Sequence, residues 1–492
     1  MNRIYFLIIS VFFASSSFAQ NIDTLAQEAL IRRLDSLQNS FFMQHGSVSA
    51  CIKSVKTGQT VLAFHHRKSV PPASTMKLIT TATALAVLNQ SFTYTTTLET
   101  DGVIRNDTLF GNLWIRGSGD PSLGSGRFKS TPTLPTLLKS WATALRDKKI
   151  RHMTGRVIGD GSVFDENSIP GGWPWEDLGN YYGAGVSGLN MNENKFRAVF
   201  KPGTELDDPA GLIRTEPALP GYTLINRVKT DSPRSGDQVT IYSTPLGSQY
   251  FLEGYVPQGP AEFGVQGSLA NPSLFTATAL QQVLLENGIT VGDTSQTSFD
   301  FLRRNQALAF RDTLAKVQSP TVKDLATECN FQSINLYAEA FLKTIGVALN
   351  YGNTTQDGVK ALEKIWTSKR VSLAGFRIKD GSGLSPQSVL TLDTMTDILA
   401  VAARESYFPA FYSTIAVLGK NGTVKNMGRG TKAAGNVRAK SGSIGGTRAF
   451  AGYFNGKNGQ LYAFAFNIQQ YDLNFGSSTR ELEKLMVMMV NL

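Results

Sequence analysis

Three short groups of residues could together carry out acyl transfer. Ser74-Thr75-Met76-Lys77 has the form S-x-x-K, and Ser333-Ile334-Asn335 has the form S-x-N. Lys440-Ser441-Gly442 is a K-S-G followed by Ser443. A serine hydroxyl is a weak nucleophile until a base removes its proton. On a helix, Lys77 lies one turn beyond Ser74 on the same face and can reach its Oγ. Lysine serves as that base only when burial or a neighbouring cation lowers its pKa. Lys440 offers such a cation and a partner for a substrate carboxylate. Ser333 can relay a proton to a leaving amine, and Asn335 can hydrogen-bond a substrate amide. The backbone N–H groups of Ser74 and Ser443 can form an oxyanion hole. Alone, each motif is weak: S-x-x-K is an ordinary capped helix start, and K-S-G is usually a turn. Their order, and the elements they fall in, give the set its force.

Those elements come from both ends of the chain. Leu25, Leu30, Leu34 and Leu37 recur at helical spacing and predict a helix over 22–38. Residues 48–55 and 60–66 flank Lys56-Thr57-Gly58-Gln59 and read as a β-hairpin. Pro71-Pro72 breaks the chain before Ser74, and a helix rich in Ala, Thr and Leu runs from Ser74 to about Leu88. At the far end, 436–440, 447–454 and 461–468 read as strands separated by Gly-rich or Asn-Gly turns. Residues 477–492 then place Leu482, Leu485, Met486 and Met489 on one helical face. One antiparallel sheet assembled from both ends, with helices packed on it, is the economical arrangement, an α+β fold. The K-S-G would then end a C-terminal strand lying beside Ser74.

The stretch between has another texture. Residues 97–310 are rich in Gly, Thr, Ser, Asn and Pro, with short β-like runs at 108–116 and 238–243. They predict a mainly β insertion of two subdomains, hung from a catalytic domain split between 20–96 and 311–492. A chain of 492 residues exceeds what one compact core holds, so several domains are expected.

Residues 1–19 read as a secretory signal: Arg3, an apolar run over 4–14, then Ser17-Phe18-Ala19 with cleavage after Ala19. A retained anchor is the other reading. No second long apolar run follows, so stable membrane insertion is not expected, and export would place the protein in the periplasm, with peripheral membrane or wall association open to it. The net charge of +10 suits an anionic wall polymer or membrane surface, or simply a solvated surface. No nucleic-acid motif accompanies it. His65-His66 would point to opposite faces of a strand, and no H-E-x-x-H occurs, so no metal site is indicated. Residues 117–126 lack the glycine patterns of nucleotide loops, and no cofactor is implied. Cys51 and Cys329 both fall in the catalytic domain; spacing leaves a disulfide and two buried thiols both open.

Taken together, the motifs resemble those of the class C low-molecular-mass penicillin-binding proteins, the D-alanyl-D-alanine carboxypeptidase/endopeptidases. The likeness extends to Gly119-Asp120-Pro121-Ser122-Leu123, to Gly172-Trp173-Pro174-Trp175 with Tyr182-Gly183-Ala184, and to Asp380-Gly381-Ser382-Gly383-Leu384-Ser385. Gly422-Thr423-Val424 is similar to the family's D-G-T-L, with Asn421 for Asp. Ser333 follows Ser74 by 259 residues (333 − 74), which matches the family's insertion into a transpeptidase-like fold shared with serine β-lactamases. The third motif has Ser441 where Thr is commoner. Pro386 and Gly445 stand where relatives often carry Arg and Gln.

The resemblance implies a penicillin-binding fold and a Ser74 acyl-enzyme acting on peptidoglycan stem peptides, which β-lactam antibiotics would acylate. Ser74, Lys77, Ser333, Asn335 and Lys440 would be catalytic; Ser441, Gly442 and Ser443 would hold substrate. It also implies that Asp160 and Phe164 supply a carboxylate and a ring near the cleft, facing the free amine of the stem's diamino acid. An Asx-turn with the adjacent glycine is the structural alternative for Asp160. A β-lactamase and a catalytically silent wall-binding protein are the rival functions.

Overall fold

The computed structural model describes residues 23–305, 311–472 and 474–492; the expected signal segment lies outside them. Five antiparallel strands form the central sheet, in the order Thr60–Phe64, Ser47–Ser54, Leu461–Gln469, Thr447–Asn455, Arg438–Ile444. N-terminal and C-terminal strands therefore pair directly. Side chains alternate across the pleat. Ala50, Ile52, Phe450, Phe464 and Phe466 face one core, which the terminal helices Thr24–Gln38 and Phe475–Met489 cover. Cys51, Ala451, Ala463 and Ala465 face the other core, packed by the helices Met76–Leu88, Val322–Gln332, Asn335–Ala348 and Leu392–Ala402. On that side the sheet offers small side chains, which lets the helix Leu392–Ala402 approach closely.

The insertion is less purely β than its composition suggests. Its largest sheet runs Gln296–Thr297, Val157–Asp160, Leu113–Arg116, Thr95–Thr100, Asp312–Gln318. The last two strands pair across both crossing points of the chain. Helices Leu134–Asp147 and Pro272–Glu286 bury Leu137, Trp141, Leu145, Phe275, Leu280 and Leu284 among the strands. One apolar cluster joins these helices to all the insertion's larger sheets. Local signals for both helices exist, Pro at their first turns and Asn271 capping the second. Their Thr- and Ser-rich surroundings mask them.

Cys51 and Cys329 are buried free thiols. Burial, the leading cause for each, pushes both up to about 12, and Cys51 meets Thr396 rather than a second sulfur. Native protein should therefore resist iodoacetamide at neutral pH and take up two labels only after unfolding. One native label, or a mass gain on reduction, would contradict the arrangement.

Candidate active site

Ala73–Thr75 forms a tight 3-10 turn leading into the helix Met76–Leu88. Ala73 sits in the left-handed region at φ 46°, which presents Ser74 on a sharp corner. The K-S-G does not end its strand as its sequence suggests; Arg438–Ile444 runs straight through it. Gly442 is needed there because a Cβ would lie 2.9 Å from Ser74 N and 3.0 Å from the Pro72 carbonyl. The missing side chain is what lets this strand press against the nucleophile.

Lys77 is fully buried. Its Nζ donates to Ser74 Oγ at 2.9 Å, Asn335 Oδ1 at 2.5 Å and the Ser382 carbonyl at 2.9 Å. Burial, the largest influence, pushes Lys77 down to about 8. Lys440 is also buried and donates to Ser333 Oγ at 2.9 Å and to the Ser441 carbonyl at 2.7 Å. Burial first, and the Lys77 ammonium second, hold Lys440 well below the usual lysine range. Burial is the leading influence on both lysines, and the two ammoniums repel. Ser333 occupies a left-handed position, φ 62°, at the turn between the helices Val322–Gln332 and Asn335–Ala348. That turn aims its hydroxyl at Lys440 while Asn335 opens the next helix toward Lys77. Ser441 Oγ donates to Thr423 Oγ1 at 2.7 Å, and Ser443 lies exposed on the strand beyond. Ser74, Lys77, Ser333, Asn335, Lys440, Ser441 and Gly442 thus converge from three distant parts of the chain.

A match with a family model decides what these residues belong to. The model of the D-Ala-D-Ala carboxypeptidase 3 (S13) family matches residues 33–490. The chain belongs to that family. Relatives of this S13 chain include the D-alanyl-D-alanine carboxypeptidase of Actinomadura sp. (strain R39), 26% identical over 86% of this chain and 77% of the relative. The D-alanyl-D-alanine carboxypeptidase DacB of Haemophilus influenzae is 25% identical over 97% of this chain and 92% of its own. The S13 fold is that of the crystal structure of penicillin binding protein 4 from Haemophilus influenzae, with a TM-score of 0.77 at 22% identity, covering 94% of this chain and 97% of that one.

Two expected residues of this S13 chain lie elsewhere. Asp160 is only 2% exposed. Its Oδ1 accepts from Ser162 N and Oγ, and its Oδ2 pairs with Arg311 at 2.7 Å. Arg311 also stacks on Trp114, 3.9 Å from the ring centroid. Phe164 is buried against Gly119, with Lys343 Nζ over its ring, 5.7 Å from the centroid. The Asx-turn is therefore the correct account of Asp160, strengthened by an ion pair, and neither side chain is free to meet a stem peptide. Lining the cavity beside Asn335 are the carboxylate of Glu193 and Tyr182, whose hydroxyl reaches Asp177. Tyr182 donates to Asp177 Oδ1 at 3.1 Å, and its carbonyl accepts from Asn335 Nδ2 at 2.8 Å. Tyr181 and Tyr182 line a cavity of about 230 Å³ with Arg127, Glu193, Ser333 and Asn335.

The sequence also gave no role to Trp173 or Glu339. Trp173 Nε1 donates to Asp380 Oδ2 at 2.9 Å. Glu339 is buried beneath the 380–385 loop, accepting from its backbone. The Trp-Pro-Trp run was the available signal for the first. Glu339 had none beyond its place one turn after Asn335.

Asp160→Asn should leave Arg311 with only Glu99, at 3.6 Å. Breaking the buried pair should cost about 3 kcal/mol, read as a lower thermal midpoint, while folded protein still reacts with penicillin at a normal rate. Normal stability together with impaired peptide hydrolysis would return Asp160 to the cleft.

Proposed function

We propose that this S13 carboxypeptidase cleaves D-alanyl-D-alanine ends and D-alanyl crosslinks of peptidoglycan stem peptides through a Ser74 acyl-enzyme. The observation that carries the mechanism is the buried 2.9 Å contact between Lys77 Nζ and Ser74 Oγ. A lysine lowered to about 8 holds enough neutral amine near pH 7 to take the serine proton. Ser74 Oγ then attacks the carbonyl carbon of the penultimate D-alanine. The oxyanion is received by the N–H groups of Ser74 and Ser443. Ser333, held by Lys440, relays to the leaving amine the proton that Lys77 took from Ser74, as the C–N bond breaks. Water then attacks the ester, the neutral Lys77 takes its proton and passes it to Ser74 Oγ as the ester C–O bond breaks, and the free acid leaves. Lys440 and Ser441 receive the terminal carboxylate of the substrate. β-Lactams present the same carboxylate and a reactive amide, and they acylate Ser74. An exported protein would perform this work in the periplasm. Among the described residues no helix is long and apolar enough to cross a membrane.

Purified peptidoglycan incubated with the mature protein should release D-alanine and cleaved crosslinks. Ser74→Ala should abolish both and leave no penicillin adduct by mass spectrometry. Wild-type acylation should rise with pH through about 8, as Lys77 loses its proton. Rapid penicillin turnover would mark a β-lactamase instead, and no product would mark a silent binding protein.

Asp177 and Tyr182 support recognition of a free side-chain amine on the stem, because Tyr182 lines the cavity beside Asn335 and its hydroxyl donates to Asp177. Asp177→Asn should lower kcat/KM about tenfold on peptides bearing that amine and leave penicillin acylation unchanged. Equal losses on both substrates would assign Asp177 to folding.

A further inference from the structure

We infer that Glu339 is a positioning residue that sets the proton affinity of Lys77, by holding the loop that binds the lysine and by placing a carboxylate beside it. Glu339 lies on the helix Asn335–Ala348, one turn beyond Asn335, and is completely buried. Its Oε2 accepts from Gly381 N at 3.0 Å and its Oε1 from Ser382 N at 2.8 Å. The carbonyl of that same Ser382 accepts from Lys77 Nζ. The carboxylate thus fixes both N–H groups on one side of a short loop, and the loop turns its next carbonyl to the base. Thr80, one turn beyond Lys77, donates to the Gly381 carbonyl at 2.6 Å and closes the circuit.

The geometry explains why a loop of small polar residues is rigid. Asp380 clamps the other side, accepting from Trp173 Nε1, Gly383 N, Ser385 N and the hydroxyls of Ser382 and Ser388. Two carboxylates therefore lie under one loop in a dry interior. That arrangement is costly unless it faces positive charge. Lys77 is that charge.

The groups around Lys77 are Cys329 of the helix Val322–Gln332, a neutral thiol in the working range, and Asp380 and Glu339, whose carboxylates favour its charged form. Lys440 approaches from the strand Arg438–Ile444. Around Glu339 stand Asp380, Lys343, Cys329 and the Ser382 hydroxyl. Burial first and Asp380 second raise Glu339 to about 7, so its negative charge is present through the upper part of the working range. Without that charge, the buried ammonium of Lys77 loses a stabilising partner and gives up its proton at lower pH.

This inference rests on Lys77 being the base. The test is the pH dependence of the second-order acylation rate with penicillin. In Glu339→Gln, the rising limb should move to lower pH by about one unit, because an opposite charge nearby commonly shifts a pKa by that much or more. Glu339→Asp keeps charge but cannot span both N–H groups. It should keep a limb closer to the wild type while the plateau rate falls about tenfold or more. An unmoved limb in Glu339→Gln, at any plateau height, overturns the inference. Should Glu339→Gln not fold, a wild-type plateau rate in Glu339→Asp overturns it, and a reduced plateau in a cooperatively melting protein supports it. Lys77→Arg serves as the control: if it acylates normally, the base assignment itself fails, whatever the Glu339 variants show.

Discussion

A lysine ammonium with no exposure to water is the constraint around which this active site is built. Leaving such a charge unpaired would be prohibitive, so it must be given oxygens or lose its proton. The structure does some of each. Three oxygens surround Nζ, one from its own helix, one from the Asn335 helix and one from the 380–385 loop. All three are uncharged, so they stabilise the ammonium without removing its ability to become an amine. The carboxylates that could trap the proton, Asp380 and Glu339, spend their oxygens on the backbone of the loop instead. One side chain's need for partners thus ties its own turn of chain to Asn335, 258 positions on, and to Ser382, 305 positions on.

The insertion belongs to the same network. Trp173 supports Asp380, the Gly172 carbonyl accepts from Ser385, and the Tyr182 carbonyl holds Asn335. Lys343, completely buried, reaches out of the catalytic helix to Asp165 and to the Asn167 carbonyl. Phe164 and Val186 add apolar contact by joining the catalytic core rather than the insertion's own. Buried polar bonds of this kind demand a fixed geometry, because each lost partner leaves a desolvated group behind. Residues 172–182 are thus bonded directly to the Asn335 helix and the 380–385 loop.

What could be read in the sequence follows from how local each constraint is. The terminal helices and a single antiparallel sheet assembled from both ends were legible, since period-2 and helical spacing are written into 48–55, 461–468 and 477–492. The seven convergent site residues were legible as motifs. The end of the K-S-G strand was misread because glycine usually punctuates; here Gly442 answers to Ser74, a neighbour 368 positions away (442 − 74). Asp160 was misassigned for the same reason. Its partner Arg311 lies far along the chain, and only the strand register of Val157–Asp160 brings the two together. The helix Leu134–Asp147 carried its own amphipathic pattern, with Leu137, Leu138, Trp141 and Leu145 on one face. Composition averaged over two hundred residues concealed it.

The two buried lysines also bear on why a substrate would need a terminal carboxylate. In the free site, both ammoniums share one dry interior and repel, and burial together with that repulsion holds Lys440 well below the usual lysine range. Lys440 then has weak reason to stay charged, with only Ser333 Oγ and the Ser441 carbonyl as acceptors. A carboxylate arriving beside Lys440 and Ser441 would reverse this. It would favour the charged form of Lys440, and a firmly charged Lys440 would in turn discourage a proton on Lys77. The base would become free at the moment a correct substrate is seated. A peptide ending in an amide would lose the ion pair with Lys440 and also leave Lys77 more often protonated. Selectivity for a free C-terminus and activation of the nucleophile would then share one electrostatic origin, the repulsion between two buried lysines.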